Sequence, residues 1–203
     1  MRAVSIAAII LAAGASRRLG RPKLELMLAG ETLVERAVRV AMEAYLSPVI
    51  VVVAAQTDLT ARLQQRGSLI VLNEQAAEGM ATSIRCGIEA ARTLQSGGAV
   101  LMTCDQVAVR PEHLRELCGV PASIAGSGYG GGVGIPAYFP AASFAALMEL
   151  RGDVGAREML AGARMIHAEG LGLDIDTAED FAKAQELFEQ DARKRTSKTK
   201  PNS

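Results

Sequence analysis

The chain has no tryptophan, and its 203 residues include only four phenylalanines and three tyrosines. Any core must therefore be largely aliphatic, and with 49% apolar residues there is enough material for a sizeable one. Excess charge of either sign is also missing. The formal net charge is +0, so composition supplies no general attraction to nucleic acid or to a membrane surface. No apolar run approaches the ~20 residues a bilayer-spanning helix needs. Cys86, Cys104 and Cys118 lack metal-ligand spacing, and reduced, buried thiols are expected of them. The two histidines, His113 and His167, stand away from every motif below, and no Ser-His-Asp or Cys-His set is present. The apolar start Met1–Ala13 carries Arg2, but a glycine-containing loop follows at once. It is therefore read as retained structure rather than a leader, with the cytoplasm as the expected location.

What the chain does have is a dense run, Leu11-Ala-Ala-Gly-Ala-Ser-Arg-Arg-Leu-Gly-Arg-Pro-Lys23, directly behind the apolar stretch Val4–Leu11. Small residues and Gly14 and Gly20 let a backbone approach a ligand closely, while Arg17, Arg18 and Lys23 supply positive charge. Bare N–H groups and cations together suit a triphosphate. The spacing matches neither a Walker A loop nor the dinucleotide fingerprint. A plain glycine turn with solvated arginines is the competing reading.

Apolar runs at Val4–Leu11, Pro48–Ala54, Ser68–Leu72 and Ala99–Thr103 are nearly continuous, as in parallel strands covered on both faces. Helices are expected between them at Thr32–Tyr45, Asp58–Arg66 and Ala81–Leu94. This alternation predicts an α/β fold with a parallel sheet and right-handed crossovers, its ligand crevice beyond the carboxyl ends of the strands. Further on, helices are expected at Pro111–Cys118, Ala141–Leu150 and Ala156–Leu160, and strands at Ala122–Ala125 and Arg164–His167. The glycine-dense segment Gly126–Gly134 reads as a flexible loop or hairpin, and a candidate lid. A last helix is expected over Thr177–Gln190, with Thr177 as N-cap and Asp180 as its capping partner. Residues 1–191 are expected to form a single domain, and 192–203 a disordered tail.

Three further places could carry chemistry. Asp105, in Leu-Met-Thr-Cys-Asp-Gln, follows a strand and could hold Mg²⁺ by one carboxylate oxygen. Asp174-Ile-Asp176 precedes the last helix; its alternation is expected to turn the two carboxylates to opposite sides, one to the crevice and one to a structural partner. Asn73 to Ser83 offers Asn73 as donor and acceptor for a base or substrate, and a helix start near Gly79 and Ser83 for an anion. Each has a plain alternative as a cap or loop residue.

Taken together, these residues resemble the nucleotidyltransferases of the molybdenum cofactor group over about residues 5 to 185. Leu11-Ala-Ala-Gly-x-Ser-x-Arg-x-Gly-x-x-Lys23 is similar to that family's signature loop. Asn73 with Gly79-Met80 and Ser83 is similar to its substrate loop, and Cys104-Asp-Gln106 to its metal motif. Gly134-x-Pro136, Gly152-Asp-x-Gly-Ala-Arg157 and Asp174-Ile-Asp-Thr177 are similar to its later motifs. Val107, Leu19 and Ala76 depart from the residues usual there.

The resemblance implies a Rossmann-like three-layer α/β/α sandwich, as in nucleotide-diphospho-sugar transferases, and nucleotidyl transfer from an NTP. It implies Lys23, Arg18 and Asp105 as catalytic residues. It implies nucleotide binding by Leu11, Ala12, Ala13, Gly14, Ser16, Arg18, Lys23, Asn73, Gly79 and Ser83. Asp105 and Asp176 are implied as ligands of Mg²⁺. The Ala-Ala-Gly form of the loop favours CTP over GTP. The acceptor implied is a molybdopterin-type phosphate, with a molybdenum hydroxylase as downstream partner. A sugar-phosphate or isoprenoid acceptor, a non-catalytic cofactor chaperone and a nucleotide-binding regulator are the rival readings.

Overall fold

The apolar run behind the glycine loop becomes β1 (Ile6–Leu11), and the whole fold is arranged around it. In the computed structural model, residues 5–14, 19–20, 22–120, 122–129, 131–153, 155–168, 170–172 and 174–198 are described. After β1 come a 3₁₀ turn at Lys23–Glu25 and a small hairpin, β2 (Met27–Leu28) and β3 (Glu31–Thr32). Then follow α1 (Leu33–Glu43), β4 (Val49–Val53), α2 (Asp58–Gln65), β5 (Leu69–Leu72), α3 (Met80–Thr93) and β6 (Gly98–Thr103). The second half holds α4 (Pro111–Cys118), β7 (Ala125–Tyr129), β8 (Gly132–Pro140), α5 (Phe144–Met148), β9 (Arg164–His167) and α6 (Ala178–Lys198).

The large sheet has the order β5-β4-β1-β6-β8-β7-β9. β5, β4, β1 and β6 are mutually parallel, as the hydrophobic runs predict. β8 alone among the described strands of that sheet runs against its neighbours. Strand alternation feeds two cores. Ala8 and Ile10 of β1 pack with α1, α2 and α4 on one face; Ala7, Ile9 and Leu11 pack with α3 and α5 on the other. The result is a three-layer α/β/α sandwich. Thr32 starts α1 with a capping box: its hydroxyl accepts from Glu35 N, and Glu35 accepts from Thr32 N.

Of the two readings of the glycine-dense segment, loop or hairpin, the hairpin holds. It is the β7–β8 hairpin, and the strand expected at Ala122–Ala125 starts only at Ala125. Three of its glycines are required for space. A Cβ on Gly126 would stand 2.4 Å from Val133 Cγ1, one on Gly128 2.5 Å from Met165 Cγ, and one on Gly134 2.6 Å from the Tyr129 hydroxyl. The segment expected as an α-helix at Ala141–Leu150 is a 3₁₀ turn (Ala141–Ser143) leading into α5, and Ala156–Leu160 is also 3₁₀. The last helix continues to Lys198, so much of the expected irregular tail is helical. Its start is as expected: Thr177 Oγ1 accepts from Asp180 N at 3.2 Å, and Thr177 N donates to Asp180 Oδ2 at 2.9 Å.

Candidate active site

β1 and β6 are paired in parallel, with Leu11 beside Thr103. The residues that leave their carboxyl ends, Ala12–Gly14 and Cys104–Asp105, therefore emerge side by side. They open on a cleft of about 550 Å³ that is also lined by Lys23, Ala76, Ala77, Gly79, Met80, Ser83, Asp153 and Asp176. A second hollow of about 550 Å³ lies at the β5 edge, against Leu69, Val71, Cys86, Ala90, Leu94 and Met148. Its lining is mainly apolar, with Arg85 and Glu89 its charged members, and lacks the lysine and grouped aspartates of the cleft, which is therefore the candidate site.

Lys23 is the centre of charge. Its Nζ donates to Asp105 Oδ2 at 2.9 Å and to Asp176 Oδ1 at 2.5 Å. Burial alone would lower the ammonium's pKa, but the two carboxylates more than reverse this and raise it. The residue comes to Asp105 because a third apolar cluster pulls the chain ends together: Leu26, Leu28, Leu33, Val107, Ile175 and Ala184. Ile175 is fully buried in that cluster, and a bridge between Gln106 and Asp174 fixes the register.

That arrangement corrects the expectation that Asp174 and Asp176 diverge. In extended backbone, residues two apart share a face, so burying Ile175 turns both acids away from the cluster. Burial, followed by the charges of Asp105 and Asp176, pushes the Asp174 carboxyl up to about 6. Asp176 is the acid of the pair that lines the cleft.

Asp105 and Asp176 offer hard oxygen donors on either side of the Lys23 ammonium, with the Asp174 carboxyl nearby. Mg²⁺ commonly takes one or two carboxylates and fills its shell with water and phosphate oxygens. The residues fit such an ion. Among the described residues, no group of three or more His, Cys, Asp or Glu side chains is placed to hold a metal by itself.

Of the residues expected to bind nucleotide, Leu11, Ala12, Ala13, Gly14, Lys23, Gly79 and Ser83 line the cleft. Ser16 and Arg18, and Arg17 between them, lie outside the described residues. Asn73 stands apart from the lining. It is 2% exposed, its Nδ2 donates to Thr82 Oγ1 at 2.8 Å and to Ser83 Oγ at 2.9 Å, and its Oδ1 accepts from Gln75 N. Both donors are committed, so Asn73 braces the loop against α3 rather than presenting an amide to a base. Gly79 braces it from the other side. Its φ is +118°, and a Cβ there would meet Gly152 C at 2.4 Å. Ala81 N donates to Gly152 O at 3.0 Å across the same contact.

Gln106 connects the Asp105 strand end to the hairpin: its Nε2 donates to Ile135 O at 2.7 Å, where the Tyr129 hydroxyl also donates. Cys104 is no nucleophile, since burial pushes its thiol up to about 12. His113 is a core residue, its Nε2 2.7 Å from the Ser127 hydroxyl, which donates to Pro136 O. Sequence reasoning gave Asp153 no role, although it falls inside the Gly152-Asp motif.

Residues 8–169 match the model of the MobA-like NTP transferase domain. The chain belongs to that family. It is 31% identical to the purine catabolism protein PucB of Bacillus subtilis (strain 168), covering 89% of this chain and 96% of that protein. It is 33% identical to a probable molybdenum cofactor guanylyltransferase of Opitutus terrae, over 57% of this chain and 55% of that one. Among solved structures, Rv0371c from Mycobacterium tuberculosis H37Rv superposes with a TM-score of 0.78 at 30% identity, covering 92% of this chain and 100% of that one. Rv0371c has also been solved in complex with manganese. This MobA-like chain is thus a nucleotidyltransferase with a nucleotide-diphospho-sugar transferase fold. Among its described residues, no helix is long and apolar enough to cross a membrane.

Proposed function

We propose that this chain moves CMP from CTP to a phosphorylated acceptor of the molybdopterin type, with Mg²⁺ as cofactor and pyrophosphate as the second product. The observation that carries this reading is Lys23 held between Asp105 and Asp176 at the mouth of the Gly14 loop.

The acceptor phosphate would attack the α-phosphorus in line with the departing pyrophosphate. It is already an anion, so no strong general base is needed, and the cleft contains no histidine among its described lining. The obstacle is repulsion between two anions. Lys23 would place positive charge beside the triphosphate, and the backbone at Ala13 and Gly14 would receive phosphate oxygens. Asp105 and Asp176 would hold Mg²⁺, which when bound neutralises the phosphates and orients them. Arg18 is assigned to the triphosphate with Lys23. Ala13 lines the cleft, where its methyl would narrow the base pocket against a purine. A molybdenum hydroxylase as recipient and a cytoplasmic location belong to the same reading.

The test is pyrophosphate release from purified protein with Mg²⁺, molybdopterin and each NTP in turn. Release with CTP is expected. Release with GTP instead would overturn the base assignment. Tight CTP binding without release on any phosphorylated acceptor would favour a binding-only chaperone.

A further inference from the structure

Lys23 answers two of the acids that line the cleft, Asp105 and Asp176. It does not answer Asp153. Among the described residues, no hydrogen bond or ion pair engages the Asp153 carboxylate. Asp153 is exposed, so water satisfies its carboxylate until substrates enter; in that wall it repels the triphosphate and favours a part of the substrates that carries hydrogen-bond donors and no phosphate.

Its surroundings say which part. The neighbouring wall is built by Ala76, Ala77, Gly79 and Met80, side chains without a hydrogen-bonding group. Met80 is 42% exposed and lines the cleft. The wall is held in place by close packing. A Cβ on Gly79 would lie 2.7 Å from Asp153 N, and one on Gly155 3.2 Å from Met80 Sδ. A smooth apolar shelf with a polarizable thioether accepts the face of a flat heterocycle. A carboxylate at its rim accepts two parallel N–H donors from that ring's edge.

We propose that Asp153 recognises the 2-aminopyrimidin-4-one edge of the acceptor's pterin, with Met80 supporting the ring face. This rests on the pterin-acceptor reading above. The ring N–H and the 2-amino group of that edge are adjacent donors. Cytosine has no such pair, so the carboxylate also keeps the acceptor end of the cleft from receiving the base of CTP. Guanine carries the same edge, and the test separates the two sources.

The experiment titrates the full chain with 6-hydroxymethylpterin and with 6-hydroxymethyllumazine, which has an oxygen in place of the 2-amino group. Pteridine emission is followed, free of tryptophan background. The pterin is expected to bind at least about tenfold more tightly, the scale of a lost charge-assisted hydrogen bond. Asp153→Asn is expected to bring that ratio close to one while leaving lumazine affinity and Mg²⁺-dependent CTP binding intact. Met80→Ala is expected to weaken both pteridines and preserve the ratio. A wild-type ratio near one, or a ratio that survives Asp153→Asn, would overturn the proposal. So would an Asp153-dependent preference for GTP over ITP with no preference among pteridines, since that would assign the carboxylate to the donor base. No turnover is measured, so failure of cytidylyl transfer and failure of this contact are read separately.

Discussion

Gly79 and Gly152 touch backbone to backbone, and no side chain fits between them: a Cβ on Gly79 would sit 2.4 Å from Gly152 C and 2.5 Å from Gly152 O. The loop before α3 and the loop after α5 are thereby clasped into one wall of the cleft. Gly79→Ala is expected to fail on both counts, the crowded Cβ and the +118° φ, and to cost about 1–3 kcal/mol through backbone strain. Chemical denaturation would measure the loss, and CTP affinity is expected to fall with it. A variant with unchanged stability and affinity would show that the clasp is dispensable.

Asp105→Asn is expected to lower turnover by about 10²–10³, the scale of losing one preorganised electrostatic group. Lys23 keeps Asp176 as a partner in this variant, so the fold is expected to survive. Divalent-ion affinity, followed by Mn²⁺ titration, is expected to drop in parallel. Full turnover in the variant would remove Asp105 from the mechanism.

Gly87 lies within α3, where alanine would ordinarily favour the helix by about 1 kcal/mol. Here a Cβ would meet Ile9 Cγ2 at 2.3 Å, on β1. Gly87→Ala is expected to lose about 1–3 kcal/mol to overpacking despite the propensity gain. Thermal unfolding with the site variants as controls would show it. A rise in Tm would mean that β1 and α3 can separate at little cost.

His113 is held neutral in the core: burial, opposed by Glu116, lowers its pKa below the usual 6.5. The unfolded chain therefore takes up a proton at a higher pH than the folded chain. The stability this group contributes is present above about pH 6.5 and is lost as pH falls through the folded pKa. His113→Gln is expected to flatten the stability–pH curve on the acid side of neutrality. A wild-type and variant pair with parallel curves would refute the assignment.

The parallel half of the fold was legible because Val49–Val53 and its neighbours are buried on both faces and read as unbroken apolar runs. The hairpin was legible only as one of two readings of Gly126–Gly134, the other being a flexible loop. The glycines of β7 and β8 accommodate Val133, Met165 and Tyr129, and a glycine needed for space looks in sequence like one needed for freedom. The same limit applied at the site. Asp105 and Lys23 were recognisable from their place after strand and loop, whereas the brace made by Asn73 depends on Thr82 and Ser83 reaching back from α3. The direction of Asp174 and Asp176 followed only once Ile175 was seen to be the buried residue between them.

The two halves of the Lys23 cradle are far apart along the chain. Asp105 ends the strand beside β1, but Asp176 arrives just ahead of the last helix, seated by Ile175 and Ala184 against Leu26, Leu28 and Leu33. During synthesis the Gly14 loop and Asp105 therefore emerge from the ribosome well before their partner. The nascent chain has to bring Lys23 onto a residue 153 positions further along before the cradle exists, which makes the Lys23–Asp176 contact a report on the completion of folding.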